Sequence, residues 1–411
     1  MKRTKTLKLL FVIAVITYFF PGAAIAQTKW VASWATSPQL DDGSAVSPDD
    51  LNDSTLRQIV HLSLGGPQIR LHVSNKYGKE ALRFTSVHVA KAIAAGSARI
   101  VTSTDKEVLF SGKASVVVPE GADYVSDAID LPIEPVSDLA ITLRVSDAKI
   151  LTGHPGSRTN SFVAKGSAVS AEDLPEAKKI ARWYFIAGID VAAPVDAFAV
   201  VALGDSITDG HGATTDGNDR WPDLFAKRLQ ANANAKKVGV VNQGIGGNRL
   251  LIDGIGANAL ARFDHDVLAQ AGARYLIVLE GINDLGMLTH EKEVSDVEHE
   301  AEVKWVIGAY EQIIARAHAQ GIKVIGATVM PFTGSAFYHP NAKNEADRQA
   351  VNAWIRTPGH FDGVVDFDKV TRDPVHMEML VPEFDSGDHL HPGPAGFAAM
   401  AGAIPIVLFV N

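Results

Sequence analysis

The chain has 411 residues, which is long for one compact domain and favours two. About 46% of its residues are hydrophobic and 21% are charged, the balance of an ordinary globular protein. The formal net charge of −9 is mild for this length, and no dense Lys/Arg stripe with interleaved aromatic residues is present, which argues against a nucleic-acid partner.

The first 26 residues predict a secretory signal peptide. Positive charge comes first, between Lys2 and Lys8, an apolar run covers residues 9–20, and an A-x-A site ends at Ala26. The run is shorter than the roughly 20 residues of a spanning helix, so cleavage is favoured over an uncleaved anchor. The sequence contains no cysteine for a disulfide or a lipid anchor. We therefore expect an exported protein, periplasmic or extracellular.

From about residue 54 to residue 195, short runs of alternating apolar residues are separated by Gly, Pro, Asn and Asp. Examples are IRLHVSNKYG, RFTSVHVA, ARIVTS, KEVLFSG and LAITLRVSD. This alternation is typical of half-buried strands, and convincing helical periodicity is nearly absent. The pattern predicts a β-rich accessory domain over residues 27–195, resembling an antiparallel β-sandwich or jelly roll.

After about residue 196, apolar runs rich in Val and Ile alternate with helix-like stretches. The runs are AFAVVAL, KVGVVNQ, RYLIVLE, KVIGATVM and GVVDFD, typical of strands buried on both faces. The clearest helix follows a capping-box pattern of Ser295 and Glu298 and is expected to end at Gly321. The alternation predicts a parallel sheet covered by helices over residues 196–411. Ligands of such sheets bind beyond the carboxyl ends of the strands.

Four turns near that expected edge carry polar or glycine-rich sequence. They are GDSITDG (204–210), NQGIGGN (242–248), EGIND (280–284) and GDHLHP (387–392). Each alone has a structural interpretation, as a strand stop, a tight connection, a helix cap or a surface histidine before a proline. Together they offer a serine nucleophile, backbone donors, a side-chain donor, and a base with an orienting carboxylate.

The dipeptide His-Pro provides an internal control. It occurs at His154, His339 and His391, and only His391 has an aspartate three residues earlier. That spacing lets Asp388 fold back towards Nδ1 of the imidazole, as an orienting carboxylate must.

Competing site types lack their motifs. No serine has glycine at both −2 and +2, no Walker A loop is present, and GIGGNR misses the last position of G-x-G-x-x-G. His389 and His391 could in principle hold a metal, but no further ligand cluster accompanies them in the sequence. We therefore expect neither a metal nor an organic cofactor.

The four blocks, in this order, resemble the SGNH (GDSL-type) hydrolase family. The matching segments are GDSIT, N-x-G-x-G-G ending at Gly247, GIND, and DHLHP. Upstream, WVASWATSP (30–38), SRTNSF near 157 and WYFIAGIDV near 183 look like the β-rich region of two-domain secreted members, often called XynE-like esterases.

The resemblance implies a flavodoxin-like α/β/α sandwich that hydrolyses esters through an acyl-enzyme. Ser206 would attack the acyl carbon, His391 would accept its proton, and Asp388 would fix the imidazole tautomer.

The resemblance also implies an oxyanion hole. Its donors would be the backbone N–H groups of Ser206 and Gly247 and the side-chain amide of Asn283. Gly246, one residue earlier, is the alternative to Gly247.

We interpret the chain as a secreted serine esterase that removes short acyl groups, acetyl foremost, from a small-molecule or polysaccharide ester. Two alternatives stay open. A lipase- or thioesterase-type acylhydrolase predicts a large exposed apolar groove, and a glycan-binding protein would keep an inactive hydrolase scaffold. The sequence predicts no nucleic-acid partner and no integral membrane segment after signal cleavage, and it sets no oligomeric state.

Overall fold

The computed structural model describes residues 28–146 and 152–410. The expected signal peptide, residues 1–26, lies outside the described residues. Strand pairing is antiparallel up to residue 194 and parallel from residue 198. We call the first portion the β-rich part and the second the parallel-sheet part. Among the described residues, no helix combines the length and apolar composition that crossing a membrane requires.

The β-rich part contains three antiparallel sheets within its described residues. In spatial order, one sheet consists of Thr28–Ala35, Ile186–Pro194, Ile69–Ser74 and Asp123–Val125. The largest consists of Lys178–Ile180, Ser161–Lys165, Ser54–Leu62, Ser137–Val145, Leu82–Lys91 and Lys106–Glu107, with Val116–Val118 paired to Leu82–Lys91. The smallest consists of Trp183–Tyr184, Thr152–His154 and Gln39–Leu40, and the short helices are Pro48–Leu51 and the 3₁₀ turn Thr102–Thr104.

The sheet-rich character predicted for this part is confirmed, with one local correction. The segment ARIVTS forms no strand. It contacts its neighbour through the single bridge Ala92–Ile100 and then turns into the 3₁₀ helix Thr102–Thr104. Short alternation is ambiguous by itself, and here the Thr104 hydroxyl donates to the Val101 carbonyl at 2.6 Å and closes a turn instead.

The parallel-sheet part is built on five strands. Their spatial order is Val238–Gly244, Phe198–Gly204, Ala273–Leu279, Lys323–Ala327 and Gly363–Val365. In chain order this is 2-1-3-4-5, the arrangement of flavodoxin-like doubly wound sheets. The predicted parallel sheet is thus confirmed, and its first strand lies inside it between the second and the third.

Helical segments lie between these strands and after the last of them. They are Ser206–Asp209, Trp221–Ala231, Ala259–Phe263, the π-type turn Asp264–Leu268, Ile282–Leu288, Asp296–Ala319, Ala342–Arg356, Phe367–Thr371, Pro394–Ala403 and the 3₁₀ helix Ile406–Phe409. The longest has the predicted capping box, because Ser295 N–H donates to Glu298 Oε2 at 2.8 Å and Ser295 Oγ accepts from Glu298 N–H. Gly321, at φ 70°, follows its end as expected.

The two parts share one hydrophobic core and are joined by hydrogen bonds along the edge strand Val238–Gly244. Val240 N–H donates to Ser63 Oγ at 2.9 Å, and Ser37 Oγ donates to Gln243 Oε1 at 2.6 Å. The strand Thr28–Ala35 packs against this edge strand, and the carboxyl ends of the parallel strands remain accessible for the site.

Candidate active site

Ser206 is placed by a sharp strand-to-helix turn. The buried strand Phe198–Gly204 ends, and the short helix Ser206–Asp209 begins two residues later, with Asp205 Oδ1 accepting from Ile207 N–H at 2.9 Å as its N-cap. The turn packs tightly on the next strand, since a Cβ on Gly244 would lie 2.2 Å from the Asp209 nitrogen. Ser206 therefore sits at the carboxyl edge of the sheet.

Ser206, His391 and Asp388 form a continuous chain of hydrogen bonds. Ser206 Oγ lies 2.8 Å from His391 Nε2, and His391 Nδ1 lies 2.6 Å from Asp388 Oδ2. The other oxygen, Asp388 Oδ1, accepts from the His391 backbone N–H at 2.8 Å. Ser206 and His391 are 185 positions apart in the sequence and are both buried.

The charge state of this chain suits proton transfer. Burial alone would raise the pKa of Asp388, but hydrogen bonds from the side chain and backbone of His391 hold that pKa well below its usual range. An ionised Asp388 accepts the Nδ1 proton, which assigns Nε2 as the acceptor that faces the Ser206 hydroxyl. The arrangement can withdraw a proton from Ser206 as it attacks.

Asn283 presents a fixed amide to the same cavity. Its Nδ2 donates to the Asn248 carbonyl at 2.7 Å, and its Oδ1 accepts from the Tyr338 hydroxyl. These two contacts determine the orientation of the amide and leave one N–H of Nδ2 for a ligand.

Backbone donors complete the set. Within the described chain, the N–H groups of Ser206, Gly246 and Gly247 have no protein acceptor, and all three residues line one cavity with Asn283. Both glycines therefore stay candidates for the second donor. Gly247 has φ 67°, a backbone conformation that disfavours other residue types, so its glycine has a conformational reason beside any role in ligand approach.

The cavity has a volume of about 510 Å³, and all five sequence-predicted site residues line it. Its remaining wall is mostly apolar, formed by Ile255, Ala336, Phe337 and Leu390. The side chains of Ile255 and Phe337 are 67% and 58% exposed, so they form an apolar rim. A cavity of this size accommodates a small ligand.

Arg262 organises the site from beneath, and sequence reasoning missed it. The fully buried guanidinium donates to the carbonyls of Gly204 and Gln243 at 3.0 and 2.6 Å and to Asn248 Oδ1 at 2.8 Å. It thereby joins the ends of two neighbouring strands to the residue that orients Asn283. No sequence motif includes this arginine. Its role becomes visible only in the structure, where it contacts Gly204, Gln243 and Asn248 at once.

Buried carboxyl groups surround Arg262. Burial raises the pKa of Asp205 and of Glu280. The charge of Asp284 raises the pKa of Asp205 further, the charge of Asp205 does the same to Glu280, and Arg262 opposes both shifts. Burial raises the pKa of Asp284 to about 6, although its carboxylate accepts the N–H groups of Leu250 and Leu251. Asp205, Glu280 and Asp284 therefore keep their protons at pH values at which exposed carboxyl groups are already ionised.

His211 is a second residue that the sequence did not single out. Its ring centroid lies 4.1 Å from that of His391, and its Nε2 lies 3.8 Å from Asp388 Oδ2. Burial, followed by the neighbouring His391 and Arg158, lowers the pKa of His211. The neutral ring therefore adds no positive charge beside the base.

Metal binding has one candidate set within the described residues: His211, Asp388 and His391, with ligand atoms within 4.8 Å of one another. A metal there would compete with the hydrogen bond between Asp388 and His391. The pair His389 and His391 considered from the sequence is not this set, because His389 Nδ1 lies 2.6 Å from Asp385 and half of its side chain is exposed.

A family model matches most of the parallel-sheet part of the chain. Residues 202–399 match the GDSL-like Lipase/Acylhydrolase family. A GDSL-like lipase from Bacteroides thetaiotaomicron VPI-5482 is 20% identical over 50% of this chain and 84% of its own, with a TM-score of 0.37. The lipase/acylhydrolase from Enterococcus faecalis is 21% identical over 52% of this chain and 97% of its own, with a TM-score of 0.38. No curated protein matches the chain. Residues 202–399 therefore form a domain of the GDSL-like lipase/acylhydrolase family.

Proposed function

We propose that this protein is a serine esterase that hydrolyses short-chain carboxylic esters through an acyl-enzyme. One observation carries the proposal: the Ser206 hydroxyl is hydrogen-bonded to His391 at 2.8 Å at the wall of a cavity lined by unpaired N–H donors.

The first half of the reaction acylates Ser206. Its Oγ attacks the acyl carbon as the proton moves to His391 Nε2, and Asp388 stabilises the imidazolium that forms. The negative oxygen of the tetrahedral intermediate accepts hydrogen bonds from Ser206 N–H and the Asn283 amide, with a third from Gly247 or Gly246. Collapse of the intermediate breaks the ester C–O bond, and the alcohol leaves with the proton from His391.

The second half restores the enzyme. Water attacks the acyl carbon of the acyl-enzyme, His391 takes its proton, and the carboxylic acid leaves as Ser206 recovers its hydrogen. Every proton in the cycle passes through Nε2 of His391, so a single base serves both halves.

Substrate class is the finer part of the proposal. A cavity of about 510 Å³ has room for a small ester, acyl group and alcohol together, and the choice of acetyl rests on the resemblance to the esterase family alone. The carbohydrate alcohol rests on the resemblance of WVASWATSP, SRTNSF and WYFIAGIDV to secreted two-domain esterases of the XynE-like type. Export rests on the charge, apolar run and A-x-A site of residues 1–26.

A lipase-type acylhydrolase is the second candidate, and one observation favours it. Ile255 and Phe337 line the cavity and are largely exposed, so they form apolar surface at its rim. A longer acyl chain could lie against that rim.

The nucleophile is tested with a fluorophosphonate and peptide mass analysis. The mass increase should fall on the peptide containing Ser206 and be absent in Ser206→Ala. Labelling of another residue, or equal labelling in the variant, would remove Ser206 from the mechanism.

The substrate class is tested by two measurements. We expect kcat/KM for p-nitrophenyl esters to be highest at two to four acyl carbons, together with release of acetate from acetylated polysaccharide. A maximum at eight or more carbons would favour the lipase-type candidate. Ester turnover without acetate release would contradict the carbohydrate assignment.

A further inference from the structure

The β-rich part contributes a cationic side chain to the cavity. Arg158 lies between the strands Thr152–His154 and Ser161–Lys165 and lines the cavity together with Ser206 and His211. Of the described residues that line the cavity, it is the one lysine or arginine. Much of the remaining lining is apolar.

The backbone holds Arg158 in an unusual conformation. Its φ is 50°, in the left-handed region that non-glycine residues rarely adopt. The Arg158 carbonyl accepts from Asp216 N–H at 2.8 Å, and Asp216 Oδ1 accepts from Asn160 N–H at 2.7 Å. The parallel-sheet part, through Asp216, therefore fixes this segment of the β-rich part. Conformations of this kind persist where the surroundings enforce them, and they cluster at functional sites.

The guanidinium of Arg158 has few hydrogen-bond partners within the described protein. Its Nε is buried without an acceptor among the described residues. Its Nη2 lies 3.9 Å from Asp209 Oδ2, which is too long for a hydrogen bond.

Asp209 has a closer partner than Arg158. The His154 Nε2 lies 2.8 Å from Asp209 Oδ1, and the His154 Nδ1 lies 2.9 Å from the carbonyl oxygen of Ser37. Both side chains are buried, at 3% and 4% exposure. Asp209 is therefore held by His154 and makes no direct hydrogen bond to the Arg158 guanidinium.

Asp388, the one carboxylate among the described residues that line the cavity, is hydrogen-bonded to other groups. Asp388 accepts the Nδ1–H of His391 at 2.6 Å and two backbone N–H groups. An arginine has five N–H donors and no acceptor, and its planar fork matches a carboxylate.

We propose that Arg158 binds a carboxylate of the substrate, so that the enzyme prefers esters carrying a negative charge near the scissile bond. The inference rests on the proposed esterase function and names the substrate class of the same site. A neutral hydroxyl could accept one hydrogen bond from Arg158, but only an anion both fills the fork and balances the charge. The apolar rim, in turn, contacts the uncharged portion of the ester.

The experiment compares matched charged and neutral esters. 4-Acetoxybenzoate against 4-acetoxybenzamide places the carboxylate on the alcohol side, and mono-4-nitrophenyl adipate against 4-nitrophenyl hexanoate places it on the acyl side. The readout is the ratio of kcat/KM for charged over neutral ester. We expect a ratio of about 10 or more for one pair in the unaltered protein, from a charge-assisted bidentate contact.

Arg158→Gln should reduce that ratio by about tenfold or more, while Arg158→Lys should retain part of the preference. Arg83→Gln removes an equal charge from an exposed position of the β-rich part and should leave the ratio unchanged. Salt near 1 M should reduce the ratio in the unaltered protein, because screening weakens a partly exposed charge contact.

Four outcomes are decisive, three for the role of Arg158 and one for the esterase function. Equal kcat/KM within both pairs in the unaltered protein would overturn the role of Arg158, and so would an equal loss for charged and neutral esters in Arg158→Gln. A second measurement needs no variant: benzoate should compete with the neutral ester more strongly than benzamide does, and equal competition would contradict the proposal. Hydrolysis of none of the four esters, together with no labelling of Ser206, would instead overturn the proposed esterase function.

Discussion

The hydroxyl of Tyr338 donates a hydrogen bond to Oδ1 of Asn283, although the two residues are 55 positions apart. This contact, with the bond from Asn283 Nδ2 to Asn248 at 2.7 Å, turns the remaining amide N–H towards the cavity. Tyr338 therefore orients the Asn283 amide, which we propose as the side-chain donor to the oxyanion.

Tyr338→Phe should lower kcat about tenfold and leave KM nearly unchanged, because the donor matters most in the transition state. The matched control is Tyr310→Phe, which removes the buried hydrogen bond from Tyr310 to the Glu280 carbonyl at 2.6 Å. Both variants should lose about 1 kcal/mol of unfolding free energy. Equal kcat in Tyr338→Phe and the unaltered protein would show that the contact is structural only.

Asn283→Ala should lower kcat by about 10²–10³, the usual cost of losing one oxyanion donor. Steady-state kinetics on p-nitrophenyl acetate provides the measurement. The control is Asn352→Ala, since Asn352 makes comparable buried bonds to the backbone of Val329 at 2.7 and 2.8 Å but does not line the cavity. A loss below tenfold for Asn283→Ala would assign this residue a structural role.

Activity should fall in acid as one proton binds. His391 must be neutral at Nε2 to accept the Ser206 proton, so kcat/KM declines as His391 becomes protonated. Asp388 stays ionised over the acid limb of the profile, because hydrogen bonds from His391 outweigh burial and keep the pKa of Asp388 below its usual range. The acid limb of log kcat/KM against pH should have a slope near 1. A slope of 2, or flat activity down to about pH 4, would contradict this assignment.

Asp284 should make stability depend on pH in a predictable direction. Burial raises its folded-state pKa from 3.8 to about 6, so the folded protein holds a proton that the unfolded chain has released. Stabilisation from this proton is present below about pH 4 and is lost as pH rises through about 6. The unaltered protein should lose roughly 2–3 kcal/mol relative to Asp284→Asn between these limits.

Urea unfolding at pH 4.5 and pH 7 checks this difference. Asp266→Asn is the control, because the pKa of Asp266 is shifted in the opposite direction. In the unaltered protein that pKa is lowered, since the contacts with His265 and Arg262 outweigh burial. The stabilisation from Asp266 is therefore present at both pH values and is lost only as pH falls below about 4, so the stability difference between Asp266→Asn and the unaltered protein should stay nearly constant from pH 4.5 to pH 7. An equal change of that difference in both variants would contradict the assignment to Asp284.

Local features of the fold could be predicted from the sequence because they depend on neighbouring residues. The capping box of Ser295 and Glu298 forms within one turn, and the short separation of Asp388 and His391 lets a carboxylate reach Nδ1. The valine-rich runs predicted buried parallel strands, since burial on both faces removes alternation. The segment ARIVTS shows the limit, because a short alternating run competes with a local turn.

The amino-acid sequence by itself determined the order of strands and helices, the four polar turns, and the residue types at Ser206, Asn283 and His391. Only the tertiary structure decided what supports them: Tyr338 on Asn283, Arg262 beneath the strand ends, and Arg158 reaching in from the β-rich part. The physical reason is that periodicity and capping report interactions within a few residues. The free-energy contribution of a buried hydroxyl or guanidinium depends on its desolvation and on its hydrogen-bond partners. Those partners come from segments that are distant in the sequence and meet only when the chain packs.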